Sequence, residues 1–257
     1  MRAHAAAVAA TATAALLIPL FAAPAHAAPG PVITEVVVNK GKNIVIGPTT
    51  VTKFSAQITA TYTAGISVAD VNLWHGSTYA SRDRALSYDA PQCTTSGTST
   101  TCTMNFQVKA DTRDMTNVVS NAQAGTWHIA AWAYGKDRTH TAVYDYAVTK
   151  VQRASKLSVN ASPEPVRKGR PITVAGALTR ANWNTRKWAG YSGQKVKLQY
   201  RPKNNNTYTT VKTITTNSTG KLSTTVNATA DGYYRYVFAG TSTTPAATAA
   251  GDYVDVI

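Results

Sequence analysis

The clearest pattern of apolar and polar positions runs through residues 194–240, where four candidate strands follow one another with turn residues between them. Val196, Leu198 and Tyr200 alternate with Lys195, Lys197 and Gln199. Leu222, Thr224 and Val226 alternate with Lys221, Ser223 and Thr225, and Tyr234, Tyr236 and Phe238 with Arg235 and Val237. A period of two sends one set of side chains into a core and the other into water. The same reading predicts strands at 32–38, 43–46, 54–62, 68–74 and 103–108. Residues 125–134 (GTWHIAAWAY) are apolar on both faces, which predicts a central strand. The turn Gly135-Lys136-Asp137 joins it to residues 139–148 as a hairpin.

Further along, Leu157 and Val159 open another strand, and Pro163-Glu164-Pro165 marks a sheet edge, since proline cannot donate to a ladder. Ile172, Val174 and Leu178 line the next strand, with Gly176 at a bulge or a close approach. Residues 252–257 close the chain. The stretch Ala230-Asp231-Gly232-Tyr233-Tyr234 matches loosely the tyrosine corner at the entry to a sandwich strand. Helix-period patterns are absent, and Thr and Ser abound. The expected fold is all-β, with two immunoglobulin-like β-sandwich domains after a cleaved signal peptide. The domain map is a signal peptide at 1–27, a first sandwich at 28–149, a short basic linker at 150–156 and a basic second sandwich at 157–257.

The signal peptide rests on Arg2, the apolar run reaching Phe21, and the small-x-small pattern Ala25-His26-Ala27. Pro19 and Pro24 interrupt that run, and no later run approaches the roughly 18 apolar residues of a membrane span. The expected mature chain is secreted and extracellular, starts near Ala28 and has no membrane span. In an oxidising compartment the two cysteines, Cys93 and Cys102, suit a disulfide closing a hairpin or short loop.

Charge divides the chain. Residues 28–149 hold nine Lys/Arg and eight Asp/Glu, a balance of +1; residues 150–257 hold sixteen against four, a balance of +12. A field of one sign over one domain favours polyanions. The segment at 180–193, RANWNTRKWAGYSG, falls between strong strands and reads as a connection. Trp183, Trp188 and Tyr191 interleave there with Arg180, Arg186 and Lys187. Aromatic planes stack on sugars or bases and guanidinium forks onto phosphate or carboxylate. The alternative is that these aromatics cap their own sandwich or form the contact between domains. With Lys195 and Lys197, these residues make up the candidate ligand-binding set.

No catalytic, cofactor-binding or metal site is expected. His128 and His140 flank a predicted hairpin and with Asp137 or Asp145 offer a metal set of undiagnostic spacing. Asp83, Asp89, Asp111 and Asp114 lie in loops without the calcium-loop pattern, and no Gly-x-Ser-x-Gly occurs.

The runs KGRPITVAGALTRANW, GYSGQKVKLQYRPK, TYTTVKTITTNSTGKL and DGYYRYVFAGTSTTPA resemble a repeated Ig-like domain of secreted actinobacterial proteins. VVVNKGKNIVIG and AGTWHIAAWAYGKD resemble the N-terminal halves of such proteins. The resemblance implies architecture and compartment and carries over no catalytic residues. The expected function is non-enzymatic binding or structure. Expected partners are anionic polymers (teichoic acid, acidic polysaccharide, extracellular DNA) or, alternatively, another surface protein. A secreted enzyme with a site between the domains is the third reading.

Overall fold

The structure is a computed structural model that describes residues 30–111, 113 and 115–257. The expected signal peptide lies outside the described residues. Among those described, ten strands build a first sandwich: β1 (Val32–Val38), β2 (Ile44–Ile46), β3 (Thr52–Thr61), β4 (Ile66–His75), β5 (Arg84–Leu86), β6 (Gln92–Ser96), β7 (Ser99–Ala110), β8 (Val118–Val119), β9 (Gly125–Gly135) and β10 (His140–Arg153). One sheet runs β1-β3-β7-β6, with β8 beside β7; the other runs β2-β10-β9-β4-β5. This is the A-B-E-D sheet facing A′-G-F-C-C′ of an immunoglobulin-like sandwich. The chain leaves β1 through Asn39 and Lys40, both in the left-handed region, and crosses to the other sheet. There β2 lies parallel to the end of β10, with Ile44 beside Val151.

Inward alternation fills the space between the sheets. Phe54, Ala56, Ile58 and Ala60 of β3 face Val71, Leu73, Trp127, Ile129 and Ala131, all buried. Phe54 and Phe106 stack 4.9 Å apart. Each buried Val, Leu, Ile or Phe side chain among these is worth about 1.5–3 kcal/mol on full burial. Strand β9 is central, as its two-faced apolar pattern predicts. Cys93 and Cys102 sit directly opposite each other in the β6–β7 hairpin and are joined by a disulfide. The bond lies within one sheet, so the inter-sheet position of the antibody disulfide is filled by apolar packing instead.

The second sandwich comprises β11 (Ser155–Leu157), β12 (Asn160–Ser162), β13 (Pro171–Asn182), β14 (Lys187–Gly190), β15 (Lys195–Pro202), β16 (Thr209–Thr215), β17 (Lys221–Asn227), β18 (Gly232–Phe238), β19 (Ala247–Thr248) and β20 (Asp252–Val254). In one sheet β13 is flanked by β11 and β12 on one side and by β17 and β14 on the other. In the facing sheet β16-β15-β18 is completed by β19 and β20. The four strands expected at 194–240 are present, and the third of them, β17, crosses to the opposite sheet. Ile172, Val174, Leu178, Val196, Leu198, Leu222, Tyr236 and Phe238 form a separate core. Gly176 marks a close approach: a Cβ there would stand 2.2 Å from the Ser158 carbonyl oxygen.

Two expectations need correction. The tyrosine corner is not made by Tyr233 or Tyr234. The hydroxyl that bonds Ala230 O (3.0 Å) comes from Tyr200 on β15, and Tyr236 instead donates across the sandwich to Val174 O at 2.7 Å. The linker at 150–156 is mostly strand. Strand β10 continues to Arg153 because β2 pairs with its end, and Ala154 alone separates it from β11. Among the described residues no helix is long and apolar enough to cross a membrane.

Candidate functional site

The segment at 180–193 is a β-hairpin, not an irregular connection. Asn182 pairs with Lys187 and Arg180 with Ala189, so β13 and β14 run on as a ladder. The tip is fixed locally: Asn182 Oδ1 accepts from the backbone N–H of Asn184 and Thr185, and Arg186 adopts φ 55°. The hairpin tip inserts into the first sandwich. Trp183 is 0% exposed within that core; its Nε1 donates to Ile46 O (3.0 Å) and its backbone N–H to Asn121 Oδ1 (2.9 Å). Asn121 also bonds Asn182 and Asn184 and lies in a turn, Asn121–Gln123, held by a Ser120–Gln123 capping box.

Trp183 therefore cannot stack on a ligand. Tyr191 is 8% exposed, packs edge-on against Phe238 and carries the Arg180 guanidinium 3.8 Å above its ring. It too is removed from solvent. Trp188 stays 37% exposed, with Lys156 Nζ 4.3 Å over its ring. Arg186 and Lys187 are exposed at the hairpin tip, while Lys195 and Lys197 lie on β15 in the other sheet. The eight candidate residues thus do not form one surface.

A different basic surface is present. Val196 and Leu198 of β15 point into the core, so Lys195, Lys197, Gln199 and Arg201 share the outer face. The register with β18 sets Arg235 opposite Gln199 and Tyr233 opposite Arg201. Arg235 donates from Nε to Gln199 Oε1 (2.9 Å), and its guanidinium lies 3.6 Å from the Tyr208 ring centroid. The Arg201 guanidinium lies 3.9 Å from Tyr233 and 5.4 Å from Tyr208, and its Nη1 donates to Asn205 O. Guanidinium planes laid on rings are pre-oriented, which lowers the entropy lost when their edges fork onto an anion.

At one end of this face Lys203 meets Asp231 at 3.5 Å. The backbone N–H of Val256 and the Tyr253 hydroxyl hold the Asp231 carboxyl below its usual range. Sequence reasoning found Lys195 and Lys197 and missed Arg201, Arg235, Tyr208 and Tyr233. Alternation extended to position 201 would have found Arg201. Placing Arg235 and the tyrosines needs the β15–β18 register and the path of the 203–208 turn.

In the first sandwich the histidines have local partners. His128 Nδ1 is 2.8 Å from Asp145 and its ring stacks on Trp74; His140 stacks on Tyr134; His75 contacts Asp83 at 2.6 Å. Asp111 is paired with Arg113, and Asp137 accepts from Tyr62 and Thr139. Asp114 lies outside the described residues. Among the described residues no three His, Cys, Asp or Glu side chains come together.

No protein-family model matches the chain, and no curated protein matches it. Among solved structures, it is similar to fibronectin(III)-like modules of CbhA from Clostridium thermocellum. That match has 12% identity, covers 87% of this chain and 93% of that one, and has a TM-score of 0.32. The D00-D0 domain of intimin is similar at 13% identity, over 86% and 99% of the chains, with a TM-score of 0.27. Latent PorU from Porphyromonas gingivalis is similar at 13% identity and a TM-score of 0.31; the match covers 89% of this chain and spans 20% of PorU. The immunoglobulin-like assignment rests on the strand order described above.

Proposed function

We propose that the chain is a secreted, non-enzymatic binding protein of two domains, whose second sandwich holds an anionic polymer on the outer face of β15 and β18. The observation that carries this reading is the placement of Lys195, Lys197, Arg201 and Arg235 on one outward sheet face, within a half of the chain whose formal balance is +12. The ligand class is a linear polymer bearing phosphate, sulfate or carboxylate groups, such as teichoic acid, an acidic polysaccharide or extracellular DNA. Strands repeat side chains on one face every ~6.6–6.8 Å, so a row of cations suits a repeating anion better than a single small one. No part of this role requires a covalent step.

The test uses the full mature chain, because the buried Trp183 ties the second sandwich to the first. Duplex DNA serves as the probe, and affinity is measured against salt concentration. Four backbone contacts give a slope of log K against log salt of roughly −3 to −4. Lys195→Glu with Lys197→Glu should weaken binding and flatten that slope by about 2, with the melting temperature unchanged. Absence of binding to DNA, teichoic acid and acidic polysaccharide alike at low salt would overturn the proposal.

A second reading is supported by β16. It is an edge strand, exposed along its length except at Ile214, and Val211 is exposed on it. An open edge accepts a strand from a partner protein. Binding to a protein that is insensitive to salt, and that is lost on Val211→Pro, would favour this reading over the first.

A further inference from the structure

Among the described residues, two arginines at the junction between the sandwiches have no carboxylate partner. Arg153, the last residue of β10, is 8% exposed. Its Nε donates to Ala181 O at 2.6 Å, its one side-chain hydrogen bond among the described residues. Arg180 lies on the neighbouring strand with its guanidinium over Tyr191, and among the described residues it makes no ion pair or side-chain hydrogen bond. A buried cation is ordinarily paired, because leaving it alone in a low dielectric costs several kcal/mol, and a second cation nearby adds to that penalty. Burial first, and then the Arg180 charge, push the Arg153 guanidinium down to about 10.

Hydroxyl groups gather at the same place. Tyr191 OH lies 3.5 Å from Thr241 Oγ1, and the 241–244 turn also binds β10 through Arg153 N–H to Thr243 O (2.9 Å). Thr244 is 0% exposed, and among the described residues its Oγ1 makes no well-formed hydrogen bond, although it lies near enough to the Tyr191 hydroxyl to act on it. A buried hydroxyl without a well-formed hydrogen bond is uncommon in a native fold and leaves capacity to bond a water or an ion. Burial raises the Tyr191 phenol, but the Thr241 hydroxyl, the Arg180 charge, and Thr244 and Thr243 outweigh it, so the group ends below its usual value. All of these influences except burial favour negative charge at this point.

We infer that Arg153, Arg180, Tyr191 and the buried Thr244 hydroxyl form an oxyanion site at the junction, suited to a phosphate group. Two guanidinium charges call for a dianion. Donors drawn from two strands and a turn, rather than from one fork, suit a tetrahedral anion better than a flat carboxylate. The site is separate from the open β15–β18 face and does not depend on polymer binding there. Its occupant, a free phosphate or a phosphate group of a larger molecule, would link the two sandwiches.

The experiment is thermal unfolding of the full mature chain in inorganic phosphate, against sodium chloride at matched ionic strength. Phosphate at a hundred times its Kd should raise Tm by about 5–10 °C, saturably, and chloride should not. Arg180→Gln keeps the Arg153–Ala181 bond, and Thr244→Val keeps the shape. Each should fold with its own Tm in chloride and lose at least about tenfold in phosphate affinity. Lys195→Glu with Lys197→Glu should leave the phosphate increment intact, which separates this site from the polymer face. A glycerol-phosphate oligomer that competes with inorganic phosphate identifies a polymer-borne group as the source, and failure to compete identifies the free anion. Equal Tm in phosphate and chloride would overturn the inference, as would a phosphate increment that survives both Arg180→Gln and Thr244→Val.

Discussion

The indole Nε1 of Trp183 donates to the Ile46 carbonyl oxygen across the junction, so a hairpin of the second sandwich completes the core of the first. The same Ile46 oxygen also accepts from Ala154 N–H, at the single residue between β10 and β11. One acceptor thus ties both connections between the sandwiches.

This relationship predicts a contrast between two tryptophans 5 positions apart. Trp183→Ala opens a large cavity and leaves the Ile46 oxygen with one donor fewer, and should destabilise the chain by about 3–5 kcal/mol. Trp188→Ala removes a half-exposed ring and one Lys156 contact, and should cost about 1 kcal/mol or less. Urea unfolding of the two variants followed by circular dichroism checks the difference. A near-neutral Trp183→Ala would mean that the hairpin does not hold the junction.

The cysteine bridge should be a modest local staple. It closes a loop of 9 positions within one sheet, and loop-closure entropy puts its contribution at roughly 2–3 kcal/mol. Reduction should lower the melting temperature and keep the far-ultraviolet spectrum. Alkylation of the native protein under denaturing conditions should find no free thiol.

Gly176→Ala should be far worse than an ordinary glycine replacement in a strand. The added methyl meets the Ser158 carbonyl oxygen at 2.2 Å and the Tyr236 ring at 3.0 Å. Both belong to packed elements that cannot yield cheaply, so a loss of about 2–3 kcal/mol or more is expected. Thermal unfolding of the variant beside Gly169→Ala, where nothing lies within 4 Å of the added Cβ but φ is +80°, separates a clash from backbone strain alone.

Acid should loosen the end of the second sandwich. The folded chain holds the Asp231 carboxyl below its usual value, first through Val256 N–H and then through the Tyr253 hydroxyl. A depressed carboxyl stabilises the fold fully above its unfolded pKa, about 4, and that contribution fades as pH falls through the folded value. Stability should therefore decline below about pH 4. Asp231→Ala should start lower at neutral pH and show a shallower decline. Parallel slopes for the two proteins would remove Asp231 from the account.

Sequence alternation alone determined the all-β class, the central place of residues 125–134, the four strands at 194–240 and the outward direction of Lys195 and Lys197. Each follows from a local rule: a pleated strand shows every second side chain to the same side, whatever it pairs with. The charge division near position 150 was equally plain, because composition does not depend on folding. The short strands β5, β6 and β8 were not legible, since two to five residues are too few to show a period. Only the tertiary structure decided that the run RANWNTRKWAGYSG is a hairpin whose Trp183 belongs to another sandwich's core. A tryptophan between arginines has the same local signature whether it meets a ligand or a neighbouring domain. Register decided that Arg235 and Tyr208 join Arg201 on one face, because which residues of β15 and β18 stand opposite is set by pairing across the sheet. Packing at the junction brought Arg153 beside Arg180 and, among the described residues, left the buried Thr244 hydroxyl without a well-formed hydrogen bond. These residues are far apart along the chain, and no local pattern links them.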